Sequence, residues 1–268
     1  MIGILEPFQA EFMQRALLGG AIVAVLSAVV GTWVVLRGMA FLGEALSHGM
    51  LPGVATAVLL GLPGQIGALV AAAAMTVGIG LVTRRKRIAG DTAIGLLFVG
   101  MLAVGVIIVS ASKNVTINLT AILFGDVLAL TWGDIALIAS VGALVIAVFT
   151  VFRRPFTALV FDERIAHSLR FSPRISQAVL MGGVALTIVV SYQAVGTLLV
   201  VGMLLAPAAT GAVWAKNITQ ITIIAIAVGI FSVWAGLTAS WFLEWAAGPS
   251  IALVAVLCFG ASAALKRA

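Results

Sequence analysis

A chain of 268 residues that is 63% hydrophobic and only 9% charged, with a mean hydropathy of +1.25, carries more apolar side chains than one water-soluble core of that length encloses. It belongs in a bilayer. The net charge of +6 does not argue for nucleic acid, because the basic residues fall between apolar runs instead of lining one polar face; the lone Cys258 excludes an internal disulfide and a thiol-pair metal site, and reads as a buried thiol.

Residues 1–14 carry Glu6, Pro7 and Glu11 and lack a basic region ahead of a short apolar stretch, so no removable signal peptide is expected. A hydrocarbon core of roughly 30 Å takes about 20 apolar residues per helix, which allows about eight or nine crossings. Apolar runs between charged breaks predict them near residues 13–36, 40–60, 64–83, 92–110, 133–152, 175–192, 195–214, 218–241 and 249–265. The stretch 115–130 is too short to span and holds Asp126, and reads as a short re-entrant or interfacial helix. The expected fold is all-α: a polytopic transmembrane helical bundle of eight to nine transmembrane helices plus that short helix, in a single domain over residues 1–268.

Basic residues cluster at Arg37, at Arg84 to Arg87, from Arg153 to Arg174, at Lys216, and at Lys266 and Arg267. The positive-inside rule places all of these in the cytoplasm. Nine crossings with the C-terminus inside put the N-terminus outside; an interfacial first segment would lower the count to eight. Small residues at helix-packing spacing, Ser27 with Gly31, Gly49 with Gly53 and Ala235 with Ala239, fit a tight bundle, although a chain rich in Gly and Ala produces such pairs by chance too. No internal repeat of the kind found in many secondary transporters is visible.

The most informative stretch is Arg37-Gly-Met-Ala-Phe-Leu-Gly-Glu-Ala-Leu-Ser-His-Gly-Met-Leu-Pro-Gly53, which places Glu44 and His48 inside an apolar helix, where ionisable groups are expensive. Four residues apart, they share one helical face, with Ser47 beside them. At about 1.5 Å per residue from cytoplasmic Arg37, Glu44 lies ~10 Å and His48 ~16 Å into the membrane. Pro52 lacks an N–H and frees the carbonyl of His48. Carboxylate, imidazole and carbonyl suit zinc, manganese or iron better than copper(I), and two ligands bind weakly enough to let an ion leave. From spacing alone the pair reads as a metal site, as a hydrogen-bonded packing pair or as a proton relay.

The run from Phe41 to Ala55 resembles the signature of the zinc/manganese/iron ABC transporter permeases, which usually have Asp where this chain has Glu44. The resemblance continues through Asp91-Thr-Ala-Ile-Gly-Leu-Leu-Phe98, Leu123-Phe-Gly-Asp-Val-Leu128, Val195-Gly-Thr-Leu-Leu-Val-Val-Gly-Met-Leu-Leu-Ala-Pro-Ala-Ala-Thr210 and Ala247-Gly-Pro-Ser250, in order over nearly the whole chain. It implies one permease domain that pairs with a second copy of itself in a bacterial plasma membrane. Two cytoplasmic ATPase subunits that bind the ATP, and an extracytoplasmic metal-binding protein that delivers the ion, are implied as partners. By position, Glu44 and His48 match the family's metal-coordinating acid and histidine. The implied cargo is manganese or zinc, and no cofactor of the chain's own is expected.

The chain has no Gly-x-x-x-x-Gly-Lys-Ser/Thr phosphate loop, so the motor is another polypeptide. The segment Phe161-Asp-Glu-Arg-Ile-Ala-His-Ser-Leu-Arg-Phe-Ser-Pro173 predicts a short amphipathic helix ending before Pro173. In similar permeases this is the coupling helix, which assigns Asp162, Glu163, Ala166, Leu169 and Arg170 to ATPase contact. The family usually has Gly where Arg170 stands. His167 reads as a surface residue. Pro52 and Pro207 are candidate gating positions, and Asp126 and Asp134 either receive a cation at the outer face or cap helices. The rival readings are a secondary, ion-coupled metal transporter, which needs more intramembrane carboxylates, and an intramembrane metalloprotease, which needs a His-Glu-x-x-His array absent from a chain with two histidines.

Overall fold

The computed structural model describes residues 6–83, 90–111 and 125–267. Among them the regular elements are all helical, as lipid requires of a chain that must satisfy its backbone internally. In order they are α1 (Glu11–Leu36), α2 (Ala40–Gly49), α3 (Leu51–Leu59), α4 (Gly64–Thr83), α5 (Gly90–Ala111), α6 (Trp132–Val151), α7 (Arg153–Phe161), α8 (Glu163–Ser168), α9 (Pro173–Trp214), α10 (Ile218–Leu243) and α11 (Ala247–Arg267), with 3-10 turns at Glu6–Gln9 and Val127–Ala129. Among the described residues seven segments are long and apolar enough to cross a membrane: Glu11–Leu36, Gly64–Val82, Thr92–Ala111, Trp132–Val151, Pro173–Tyr192, Ile218–Leu243 and Ala247–Lys266.

Two expected crossings take another form. The stretch 40–60 is parted at Met50 into α2 and α3. Pro52 has no N–H for the His48 carbonyl, and the Met50 N–H bonds that carbonyl instead, so the oxygen is not left open. Between 192 and 195 the expected loop is absent: α9 runs on and breaks only at Gly196 (φ 74°, ψ 160°), a conformation open to glycine alone. Beyond the break, Leu199–Trp214 is an apolar helix shorter than a full span. Of the short helix expected at 115–130, residues 115–124 lie outside the described residues, and the remainder holds the Val127–Ala129 turn.

The chain packs as two compact units. The first comprises Met1–Gly38, Thr120–Phe149 and Val190–Ala268. Here α1 lies against α10, and α10 against α11. Helices in lipid gain little from burying apolar surface and depend on close approach. A Cβ at Gly31 would strike the Leu204 carbonyl, and one at Gly236 the backbone of Ile251. The tight α10 contact is thus made at Gly236, while Ala235 and Ala239 are half-buried. Thr222 and Thr32 bond across helices at 3.3 Å, and Thr32 also donates to the Ala28 carbonyl at 2.7 Å. Gly125 (φ 62°) abuts the helix break, so that a Cβ on it would meet the Val195–Gly196 peptide. The Lys266 ammonium caps the Val213 carbonyl near the end of α9.

The start of α6 shows reciprocal capping. The Asp134 carboxylate accepts from the Thr131 N–H at 3.0 Å and the Thr131 hydroxyl at 2.6 Å, while the Thr131 hydroxyl oxygen accepts the Asp134 N–H at 3.2 Å. Asp126 accepts the Ala129 N–H at 3.2 Å.

The second unit comprises Met39–Leu119 and Thr150–Val189. Gly53 of α3 and Gly67 of α4 face each other so closely that a Cβ on either would meet the other's carbonyl oxygen, and Gly49 sits against the Met75 sulfur. The Gly49/Gly53 spacing is therefore a true packing face toward α4. After α6 the chain folds α7 onto α8, with Ala158, Leu159 and Ala166 buried together under Phe171. The α8 end closes with the Phe171 N–H donating to the Ala166 carbonyl and the Arg170 N–H to the His167 carbonyl, both at 3.0 Å. This closure needs a left-handed residue, and Arg170 supplies it at φ 60°, a conformation that costs a residue with a Cβ roughly 1 to 2 kcal/mol.

The glycine crossing predicts that Gly67→Ala destabilises the protein by about 1 to 3 kcal/mol, read as a lower unfolding midpoint in detergent. Gly100→Ala, where a Cβ meets open space, leaves the midpoint unchanged or raises it slightly. At the α6 start, Asp134→Ala loses about 1 kcal/mol through the missing cap. Unaltered stability would show that the carboxylate does not hold this helix end.

Candidate metal-transit site

Glu44 and His48 come together on one face of α2, which packs against α4 and α5 in the second unit. The turn forms because residues 40–49 offer helix-compatible apolar side chains up to Pro52, which ends the hydrogen-bond ladder one turn on. His48 Nε2 and Glu44 Oε1 are 2.9 Å apart. With the carboxylate ionised it only accepts, so Nε2 is the donor. The side chains are 23% exposed for His48 and 38% for Glu44, so the pair is neither sealed in the core nor solvated like a surface pair.

Phe98 of α5 stands edge-on to the His48 ring at 6.0 Å between centroids, and Phe41 packs on Phe98 at 5.9 Å. The aromatic pair holds the imidazole on one side. Phe98 lies within a motif that the sequence singles out, but its contact with His48 depends on the α2–α5 packing, which no spacing reveals. Ser47 is buried, and its hydroxyl has no hydrogen-bond partner among the described residues. Pro52 is buried at the start of α3 over Gly105 of α5, where a Cβ would stand 3.1 Å from its nitrogen.

The chemistry open to the pair follows from distances. Ligands at about 2.0–2.2 Å on a tetrahedral zinc lie about 3.3 to 3.6 Å from each other, and right-angle ligands on an octahedral ion about 3 Å. The present 2.9 Å separation is close to the octahedral value and shorter than the tetrahedral one by about 0.4 to 0.7 Å. Among the described residues, no group of three or more His, Cys, Asp or Glu side chains is gathered at one place.

The remaining expected residues lie elsewhere. His167 is exposed on α8. Asp162 is exposed and ends α7, Glu163 opens α8, and Leu169 is 56% exposed. Ala166 is buried, so it shapes this segment from within and presents no surface. Asp126 and Asp134 both make the local caps described above. Pro207 is buried inside α9, beyond the Gly196 break.

Comparison with known proteins fits this arrangement. The chain is 36% identical over 251 residues to the manganese transport system membrane protein MntC of Listeria innocua, covering 94% of this chain and 89% of that protein. It is 36% identical over 256 residues to a probable iron transport system membrane protein of Haemophilus influenzae, covering 96% and 94%. Its fold matches that of PsaBC from Streptococcus pneumoniae in complex with Fab, with a TM-score of 0.85, 33% identity, and coverage of 97% of this chain and 94% of that one. Residues 9–266, nearly the whole chain, match the ABC 3 transport family, and the chain, with its polar Glu44–His48 pair set in an apolar helical bundle, belongs to that family.

Proposed function

We propose that the chain is the transmembrane permease subunit of an ATP-binding-cassette importer for a divalent transition metal, manganese or zinc, and that Glu44 and His48 meet the ion in transit. The observation that carries this is the carboxylate–imidazole pair 2.9 Å apart on an apolar helix, still partly open. Relatives named for manganese and iron transport support the cargo class. The open side of the pair suits completion by a second copy of the chain. Two pairs supply four ligands, enough for tetrahedral zinc, while octahedral manganese takes further oxygens. Glu44 in place of the usual Asp lengthens one ligand by a methylene and keeps its charge.

Without a phosphate loop of its own, the permease takes its power from two ATPase subunits docked on the α7–α8 segment, whose arginine-rich flanks belong on the cytoplasmic side. An extracytoplasmic metal-binding protein delivers the ion, with Asp126 and Asp134 at the receiving face. In a bacterial plasma membrane, α2 with α3 and the Leu199–Trp214 helix complete a nine-crossing permease domain, and Pro52 and Pro207 mark its gates.

The test is the metal content, by mass spectrometry, of cells carrying the whole transporter with wild-type permease, Glu44→Ala or His48→Ala. Both variants are expected to lose accumulation of the same metal by at least about tenfold, the loss that even outer-shell partners of a metal site cause, with ATPase assembly intact. Uptake unchanged in both would reduce the pair to a packing contact. Uptake that persists after ATP depletion would indicate an ion-coupled carrier instead.

A further inference from the structure

The helix closure explains the left-handed turn at position 170 but not why an arginine occupies it. Its two hydrogen bonds and the Phe171 contact complete a helix closure that glycine fills without strain, yet an arginine stands there at φ 60°. Retention of cytoplasmic charge does not account for it, since any position between Arg153 and Arg174 serves that purpose equally. Backbone strain of this kind clusters at functional sites. Arg170 is exposed, next to Leu169 at 56% exposure, and no ion pair to it occurs among the described side chains. The surrounding segment is cationic: Arg153, Arg154, Arg164, Arg170 and Arg174 stand against Asp162 and Glu163.

We propose that Arg170 is a specificity-determining contact, whose guanidinium, presented by the left-handed turn, makes a two-pronged pair with a carboxylate on the ATPase subunit. The inference rests on the reading of α7–α8 as the ATPase docking segment. A guanidinium offers a planar fork that matches a carboxylate, which a lysine cannot reproduce. The turn fixes the backbone from which the fork projects, so less side-chain freedom is lost on docking. The strain in the free permease is thus the cost of presenting a charge at a place where the helix would otherwise end in glycine.

The experiment uses the full permease in neutral-lipid nanodiscs, with the ATPase subunit that co-purifies with it. Arg170→Gly is expected to raise the unfolding midpoint of the permease alone by roughly 2 °C, and to weaken ATPase binding by about tenfold with a shallower salt dependence. Arg170→Lys recovers part of the binding. A purely structural role moves the two readouts together, whereas this proposal moves them in opposite directions. Leu169→Asp checks the docking segment itself. If Leu169→Asp disrupts assembly while Arg170→Gly binds like wild type, the Arg170 contact is wrong and the docking reading stands. If Leu169→Asp has no effect, the docking reading fails. A defect in Arg170→Gly that appears only with anionic lipid would assign the guanidinium to the membrane surface and overturn the proposal.

Discussion

Everything in this protein depends on the requirement that no backbone N–H or carbonyl be left to lipid. Helices meet it in bulk, and hydroxyls follow the same rule by donating to carbonyls one turn back, as Thr56 does to Pro52, Thr76 to Ala72 and Thr210 to Ala206. The departures are few and local. Pro52 interrupts the ladder just past His48, and Gly196 breaks α9. An interruption is tolerated only where packed protein surrounds it, which is why the first nests on Gly105 and the second against Gly125.

With the ladder satisfied, cohesion comes from how near the helices can lie. The Gly53–Gly67 crossing and the seat of Gly49 on Met75 bring α3, the end of α2 and α4 together, and this packing holds the α2 face on which Glu44 and His48 sit. Position and chemistry are therefore linked through glycines that touch no ligand. Phe98 adds the last constraint by bracing the imidazole. The polar pair costs little as it stands because each member satisfies the other.

Much of this was legible in the residues. Long apolar runs bounded by arginines became seven spans near their expected limits, because hydropathy over about 20 residues directly reports a bilayer crossing. The Glu44–His48 pair was legible because i and i+4 must share a helix face. Where the outcome depended on one residue's backbone, the pattern located the break only roughly. The α2–α3 parting at Met50 lies between His48 and Pro52 in a stretch read as one crossing, and the Gly196 break falls just past the loop expected after Tyr192. Spacing also failed to say which small residues touch: Gly49 and Gly53 do, whereas the α10 contact falls on Gly236, one residue from Ala235. The α8 end shows the opposite case, for an arginine adopts the conformation that its family position suggests for glycine.

The corner formed by Gly125 and Gly196 has a consequence for how this sequence can drift. Gly196 is required by its own dihedrals, and Gly125 by the Val195–Gly196 peptide pressed against it. A collision between two side chains can be relieved by shrinking either one, and covariation usually records such exchanges. Here neither partner has a smaller alternative, and making room at one position leaves the dihedral at the other unchanged. The corner therefore offers no side chain to trim: space at Gly125 is limited by backbone, and the fold at Gly196 by its own torsions.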